Sequence, residues 1–147
     1  MDKIIVLGSD HGGYELKEAI KVHLMERGIK FIDVGTNSSA SVDYPEYAHR
    51  LCEKLSAGDA ELGILCCGTG IGMSMAANKH RGIRAAACSD TFSARFTRMH
   101  NNANVLCLGG RVVGAGLACD MVDLFIDTEY EGGRHDRRVA MIDALDE

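Results

Sequence analysis

Short apolar runs alternate along the chain with longer amphipathic segments. The apolar runs predict five strands, over residues 3–8, 30–34, 62–67, 84–88 and 104–108. The amphipathic segments predict helices over residues 13–27, 45–56, 115–126 and about 134–145, with one more ending near residue 80 and another beginning near residue 90. Gly28 and Pro45 stand where a helix ends and where the next begins, as these residue types prefer.

This alternation of strand and helix predicts the fold class. Strands joined by helices form a parallel sheet covered on both faces, and the run over 62–67 is apolar throughout, as such a sheet requires. We therefore expect a single three-layer α/β/α domain over residues 1–147, with a five-stranded parallel Rossmann-like sheet. Ligands of such sheets bind beyond the carboxyl ends of the strands. Functional residues are thus expected just after residues 8, 34, 67, 88 and 108.

Composition and charge narrow the class of protein. The 147 residues are 46% hydrophobic and 25% charged, with a net charge of −5 that argues against non-specific nucleic-acid or membrane binding. We find no signal-peptide pattern and no apolar stretch long enough to span a bilayer, so we expect a cytoplasmic protein. The six cysteines form no C-x-x-C pair and no zinc-like cluster with histidine. They predict reduced thiols and no structural metal.

Five of these cysteines, at positions 52, 66, 88, 107 and 119, fall in predicted strands or on apolar positions of predicted helices. We expect them to be small buried hydrophobic residues. Cys67 differs because it ends the third strand and opens a glycine-rich turn.

That turn runs Cys67-Gly68-Thr69-Gly70-Ile71-Gly72-Met73-Ser74. Its glycines let the backbone present several N–H groups to an anion at a helix N-terminus. The field of that terminus favours a nucleophilic, basic thiolate at Cys67. A thiolate beside an oxyanion-binding loop suits removal of a proton next to a carbonyl, although a buried strand cysteine is the simpler alternative.

Three other interpretations of this loop can be weighed. A dinucleotide fingerprint would need its third glycine one residue later, although Asp90 follows at a fitting distance. A P-loop would need a lysine before Ser74. A cysteine phosphatase would need an arginine in the loop to hold the phosphoryl oxygens, and none is present.

Further candidates follow the first strand and flank the fifth. Asp10 and His11 could hold hydroxyls and share protons, or Asp10 could only cap the next helix. His100 could protonate or deprotonate a hydroxyl. It lies among asparagines, which are common in turns, and a turn alone would explain Asn102. Arg111 follows the fifth strand and could bind phosphate. Arg134 and Arg138 are four residues apart on one helical face and could do the same, or they could only form a solvated basic helix.

Six segments in order resemble the ribose-5-phosphate isomerase B family, which also includes allose-6-phosphate and galactose-6-phosphate isomerases. They are GSDHGGYELK at the start, VDYP at 42–45, CGTGIGMSMAANK at 67–79, HNNANV at 100–105, GGRVVG at 109–114 and EGGRHDRRV at 131–139. The resemblance covers nearly the whole chain. It implies an enzyme that interconverts an aldose phosphate and a ketose phosphate without a metal or a cofactor.

The resemblance also implies roles for individual residues. Cys67 would move a proton between C2 and C1 through an enediolate, and His100 would help to open the sugar ring, reaching in from a partner subunit. Thr69 and Asp10 would handle hydroxyls. Part of the family has a glutamate base six residues after the cysteine position, but that residue here is Met73. The remaining substrate-binding residues would be His11, Tyr44, Gly68, Gly70, Ile71, Gly72, Ser74, Asn101, Arg111, Arg134 and Arg138.

Two further expectations come with the family. The protein would be a homodimer or a dimer of dimers whose active sites are shared between subunits. Its substrates would be ribose 5-phosphate and ribulose 5-phosphate, with allose 6-phosphate or galactose 6-phosphate as alternatives. A non-catalytic phosphosugar sensor is a rival interpretation from another class, because it would keep the glycine loop and the arginines.

Overall fold

The computed structural model describes residues 3–146, and it confirms the alternation of strand and helix. The strands are β1 (Ile5–Ser9), β2 (Phe31–Asp33), β3 (Leu62–Cys67), β4 (Ala85–Ala87) and β5 (Val105–Gly109). The helices are α1 (Tyr14–Glu26), α2 (Tyr44–Ser56), α3 (Ile71–Ala77), α4 (Thr91–Asn101), α5 (Ala115–Asp127) and α6 (His135–Asp143). Within this described range, every helix is too short or too polar to cross a membrane.

All the strands form one parallel sheet in the order β2-β1-β3-β5-β4, which confirms the expected fold class. Helices α1, α4 and α5 pack on one face, and α2 and α3 pack on the other. Neighbouring residues of a strand point to opposite faces, so Cys66 joins the first core cluster and Cys67 the second.

This strand order makes the carboxyl end of β3 the point at which the connections change direction. The chain leaves β1 and β5 toward the face covered by α1, α4 and α5, whereas it leaves β3 toward the face covered by α2 and α3. Loops that diverge from adjacent strands leave a cleft between them, and ligands of open α/β sheets bind there. The helix after Cys67 therefore packs on the opposite face of the sheet from the helices that follow its two neighbouring strands.

Several boundaries differ from the sequence prediction. The edge strands β2 and β4 keep only three residues each, since each pairs with a neighbour on one side. Helix α3 ends at Ala77 rather than near residue 80, because Asn78 turns its side chain to the backbone of Ala85. Helix α6 begins at His135 and ends at Asp143, inside the range predicted for it. Gly28 follows α1 with φ of +69°, as expected of a C-terminal glycine.

Candidate active site

The loop after β1 holds Asp10 in a fixed position. One carboxylate oxygen of this buried residue accepts hydrogen bonds from the N–H groups of Gly12 at 2.9 Å and Gly13 at 3.1 Å. Its backbone N–H donates to the carbonyl of Cys66 at 3.2 Å, so the loop is attached to the end of β3. The N-cap of α1 is Gly13 and has no side-chain cap, so the interpretation of Asp10 as a helix cap was wrong. Oδ1 instead holds the loop before the helix, and these loop bonds leave Oδ2 unused.

The next residue, His11, has its ring oriented by the loop before α2. Its Nδ1 accepts a hydrogen bond from the backbone N–H of Val42 at 3.2 Å. Because that nitrogen is the acceptor, the proton of the neutral ring lies on Nε2. His11 therefore offers an N–H donor for a hydroxyl or an anion.

Backbone contact between loops is closest at Gly13. A Cβ there would lie 2.2 Å from the carbonyl carbon of Cys66, so only glycine allows the chain to pass so close to β3. The β5 loop is attached as well, because the N–H groups of Gly110 and Arg111 donate to the carbonyls of Cys67 and Gly68 at 2.7 and 3.0 Å. The loops after β1, β3 and β5 therefore form one connected unit.

Within this unit the glycine-rich turn surrounds the Cys67 sulfur. The N–H of Gly70 points at Sγ from 3.0 Å, and Gly70 adopts a left-handed φ of +82° that makes this turn possible. An N–H donor directed at sulfur stabilises negative charge there. The Thr69 hydroxyl oxygen accepts from the N–H of Ile71 at 3.2 Å, which leaves its own O–H free to donate. The first turn of α3 adds further N–H groups, including that of Gly72.

The other cysteines have different environments. Burial raises the pKa of Cys52 to about 12 and that of Cys88 to about 11, and it also raises the pKa values of Cys66, Cys107 and Cys119. Four of these five are buried as expected. Cys119 is only half-buried, because α5 turns that position toward the surface, so the prediction of burial was wrong there.

Three more predicted residues lie around the same turn. Arg111 is exposed, and its guanidinium lies beside Gly68. A Cβ on that glycine would lie 3.5 Å from Nη1 of Arg111. Tyr44 stands against Gly72, where a Cβ would lie 2.7 Å from the phenol ring. The hydroxyl of Ser74 donates to the carbonyl of Ile71 at 2.7 Å, within the helix itself.

The remaining predicted residues lie at the opposite edge of the sheet, where the amino ends of the strands meet. His100 and Asn101 end α4, just before β5 begins, whereas Cys67 lies where β3 ends. A five-residue strand spans roughly 17 Å, which separates the two edges. Arg134 and Arg138 join His100 there, because α6 packs on α4, and both are exposed. One chain therefore does not bring Cys67 together with His100, Asn101 and these arginines.

Two side chains beside His100 escaped the sequence prediction. The ring of His135 stacks on that of His100 with 4.2 Å between centroids, and Glu131 lies within ion-pair distance of both rings. The segment EGGRHDRRV contains both residues at a spacing of four, but the sequence pattern predicted a role only for its arginines. Their approach to His100 depends on how α6 packs on α4, which no local pattern shows.

A buried ion pair, which was also not predicted, connects α1 to the end of β2 beside the site. Lys17 is fully buried, and its Nζ donates to Asp33 Oδ2 at 2.7 Å, while Asp33 Oδ1 accepts from the N–H of Gly35. Burial alone would raise the pKa of Asp33, but hydrogen bonds from Lys17 and Lys21 outweigh it and hold this pKa below its usual value. The pair fixes the start of the 35–43 loop, whose Val42 orients His11.

Two of the alternative interpretations can now be assigned. Asp90 is the N-cap of α4, where its carboxylate accepts from the N–H and hydroxyl of Ser93 at 2.6 and 2.9 Å. This capping role accounts for Asp90 without a nucleotide ribose. Asn102 adopts a left-handed φ of +49° after α4, as the turn interpretation of that asparagine expected.

Comparison with known proteins agrees with this geometry. The sequence profile of the Ribose/Galactose Isomerase family matches residues 5–142. Ribose-5-phosphate isomerase B of Escherichia coli K12 is 50% identical over 145 residues, which cover 99% of this chain and 97% of that protein. A crystal structure of a ribose 5-phosphate isomerase from Thermotoga maritima superposes with a TM-score of 0.96 at 50% identity, covering 98% of this chain and 99% of the other.

A second solved structure, of ribose-5-phosphate isomerase B from Clostridium thermocellum, gives a TM-score of 0.95 at 49% identity over 97% of this chain and 96% of the other. Fold, site and relatives together define the class of protein as a sugar-phosphate isomerase. The chain belongs to the ribose-5-phosphate isomerase B family. Because this is a family of enzymes, the hypothesis of a non-catalytic sensor is rejected.

Proposed function

We propose that the protein interconverts ribose 5-phosphate and ribulose 5-phosphate with Cys67 as the catalytic base. The observation that carries this proposal is the arrangement at the end of β3. There a cysteine with an N–H donor on its sulfur lies in a glycine-rich turn, next to the Asp10 and His11 loop. The name of the E. coli relative, ribose-5-phosphate isomerase B, supports the pentose phosphate.

The proposed reaction balances without an external oxidant or reductant. After ring opening, the Cys67 thiolate takes the proton from C2, and the electron pair of that bond forms a C1=C2 double bond. The aldehyde oxygen becomes an enediolate oxygen, and N–H groups of the 68–72 turn stabilise its charge. The thiol then returns the proton to C1, while the hydroxyl proton at O2 moves to O1. The product is the ketose.

Movement of the hydroxyl proton can be assigned to Thr69 or to Asp10. Thr69 keeps a free O–H because its oxygen already accepts from Ile71. Asp10 keeps Oδ2, because Oδ1 accepts both loop N–H groups. Each has an atom suited to the step, so both stay in the proposal. His11 would donate its Nε2–H to the substrate.

The second half of the site is proposed to come from another copy of the chain. His100 lies at the far edge of the sheet from Cys67, so a partner subunit in a homodimer or dimer of dimers would supply it for ring opening. Asn101 would accompany it and hold a hydroxyl. Arg134 and Arg138 of the same partner would bind the phosphate together with Arg111, because each guanidinium can donate two parallel hydrogen bonds to phosphate oxygens.

Initial rates of the purified protein on ribose 5-phosphate, allose 6-phosphate and galactose 6-phosphate, with EDTA present, test this proposal. We expect kcat/KM to favour ribose 5-phosphate strongly and to be unchanged by EDTA. The family profile names both ribose and galactose isomerases, so a preference for a six-carbon substrate is the second candidate. That preference would keep the chemistry and contradict the pentose assignment, and loss of activity in EDTA would contradict metal-free proton transfer.

Iodoacetamide labelling tests the role of Cys67 separately. We expect alkylation at Cys67 to abolish turnover and to be blocked by ribose 5-phosphate. The matched control is a Cys119→Ser variant, because Cys119 is the one cysteine of the six that is not buried. Inactivation that disappears in this control would contradict the assignment.

A further inference from the structure

His100 has two polar neighbours that the proposed reaction leaves without a role. Its Nε2 lies 3.7 Å from Oε2 of Glu131, and Nε2 of His135 lies 3.8 Å from Oε1 of the same carboxylate. One carboxylate therefore lies within ion-pair distance of both imidazole rings. The backbone N–H of Glu131 donates to the carbonyl of Met99 at 3.1 Å, which attaches this segment to the end of α4.

The two rings are packed as a stack. Their planes differ by 17°, and the edge of Phe96 contacts His100 with 5.0 Å between centroids. The side chain of His135 is 8% exposed and that of His100 is 34% exposed, so the buried ring is the fixed member of the pair. The Nε2 of His135 is buried and has no hydrogen-bond partner among the described residues.

We propose that Glu131 and His135 are positioning residues for His100, with Glu131 stabilising its protonated ring and His135 fixing the plane of that ring. The proposal rests on the assignment of His100 to ring opening. A proton donor at the sugar ring oxygen must be both charged and correctly oriented, and His100 is too exposed to be held by burial alone.

The surrounding charges favour a single proton on the pair. Burial, the nearby His100 ring and Arg134 all lower the pKa of His135, and Arg138 acts in the same direction, while Glu131 opposes them. A second positive charge on His135 is therefore disfavoured beside a charged His100 ring. One carboxylate then faces one imidazolium, and the stacked His135 ring supplies a flat surface beneath it.

The same three side chains also resemble a metal site, because their ligand atoms lie within 4.8 Å of one another. Two histidines and a glutamate are a ligand set that zinc accepts. One observation opposes a cation here: Arg134 and Arg138 add positive charge close to the pair. We therefore favour the proton-holding role and treat a bound metal as an outcome of the test.

The test is a nitrogen-15 NMR titration of the imidazole of His100 in the full-length protein with EDTA present. Removing the carboxylate in Glu131→Gln should move the protonation midpoint of His100 down by about half a pH unit, the size of a half-exposed ion pair. Glu53→Gln is the matched control, because Glu53 stands 3.3 Å from His49 Nε2 on a different helix, α2. It should leave His100 unchanged.

An unchanged midpoint in Glu131→Gln would overturn the proposal. So would a His100 signal that titrates in the wild type only after EDTA is added, because the three side chains would then hold a metal ion. The stacking role is tested by His135→Ala and His135→Phe. We expect about a tenfold lower kcat on ribose 5-phosphate for alanine and recovery for phenylalanine, which restores the stacked ring. Equal loss in both variants would contradict it.

The inference and the proposed function can fail separately. A shifted midpoint in Glu131→Gln, together with full turnover in His100→Asn, would remove His100 from the reaction and keep Glu131 as its proton-stabilising partner. An unshifted midpoint with inactive His100→Asn would do the reverse. Variants that do not fold are identified by thermal denaturation, and the phenylalanine and glutamine replacements keep the side-chain volume for that reason.

Discussion

The two edges of the sheet differ in how their functional residues are held. At the carboxyl edge, Cys67 lies in a frame of backbone hydrogen bonds that join the loops after β1, β3 and β5. At the amino edge, His100 contacts the side chains of Glu131 and His135, and the arginines beside it are exposed. The first region is connected by hydrogen bonds within one chain. The second has groups suited to a substrate phosphate, yet it lies far from the base of its own chain.

This difference indicates a division of tasks. The reacting carbon atoms need a base and oxyanion donors in fixed positions, and backbone contacts provide that. Phosphate binding tolerates longer and more mobile side chains, because a guanidinium can follow the anion. The following predictions test that division, beginning with the largest effect.

Cys67→Ala should lower kcat by about a thousandfold, because it removes the base, while KM changes little. Steady-state kinetics on ribose 5-phosphate measure both values. Cys66→Ala is the matched control, since Cys66 is adjacent in sequence but faces the other core cluster. It should keep turnover, and a loss equal to that of Cys67→Ala would contradict the assignment of the base.

Gly13→Ala should lower the free energy of unfolding by about 3 kcal/mol, because the added methyl group would overlap the backbone of Cys66. Urea denaturation measures the change. Gly116→Ala in α5 is the control, because nothing lies within 4 Å of a Cβ there, and it should be neutral or slightly stabilising. Equal effects in the two variants would show that the carboxyl edge does not depend on close backbone contact.

Asp33→Asn should cost about 3 kcal/mol at neutral pH, because it leaves the buried Lys17 without its closest partner. A carboxyl group whose pKa is lowered by folding stabilises the protein above its unfolded-state value, and that contribution disappears as the pH falls through the folded-state value. The difference from the wild type should therefore shrink below the ordinary aspartate pKa of 3.8. Glu18→Gln, at the more exposed second partner of Lys17, is the comparison and should cost less, and a difference independent of pH in Asp33→Asn would contradict the pairing.

Arg138→Ala should raise KM about tenfold with little change in kcat, because phosphate binding is shared by the ground state and the transition state. Arg137→Ala provides the control, as its exposed side chain lies one residue away on another part of the helix surface. A fall in kcat alone would place Arg138 in the chemical step rather than in phosphate binding.

The sequence predicted the carboxyl edge well because its signals are local. The apolar run of β3 is bounded by charge on one side and glycine on the other, so both of its ends were predicted correctly. Asp10 directly follows β1, Cys67 is the last residue of β3, and Arg111 lies two residues after β5. Parallel strands bring such positions to one end of the sheet.

The amino edge was predicted less completely because its arrangement is not local. His100 precedes β5, so it lies at the opposite end of the strands from Cys67. The rule that ligands bind at carboxyl ends does not predict a functional residue there. The stack with His135 depends on α6 folding back onto α4. Lys17 was missed for a similar reason, since its burial depends on Asp33 in a strand 16 residues away.

Mixed oligomers test most directly whether the two regions act together across subunits. Cys67→Ala and His100→Asn chains, each nearly inactive on ribose 5-phosphate, would be co-expressed with different affinity tags, and the mixed species isolated beside a random mixture. If each site takes Cys67 from one chain and His100 from its partner, a mixed dimer contains one intact site, and the random mixture should recover about a quarter of wild-type activity. No recovery above the two parent variants would contradict the shared site.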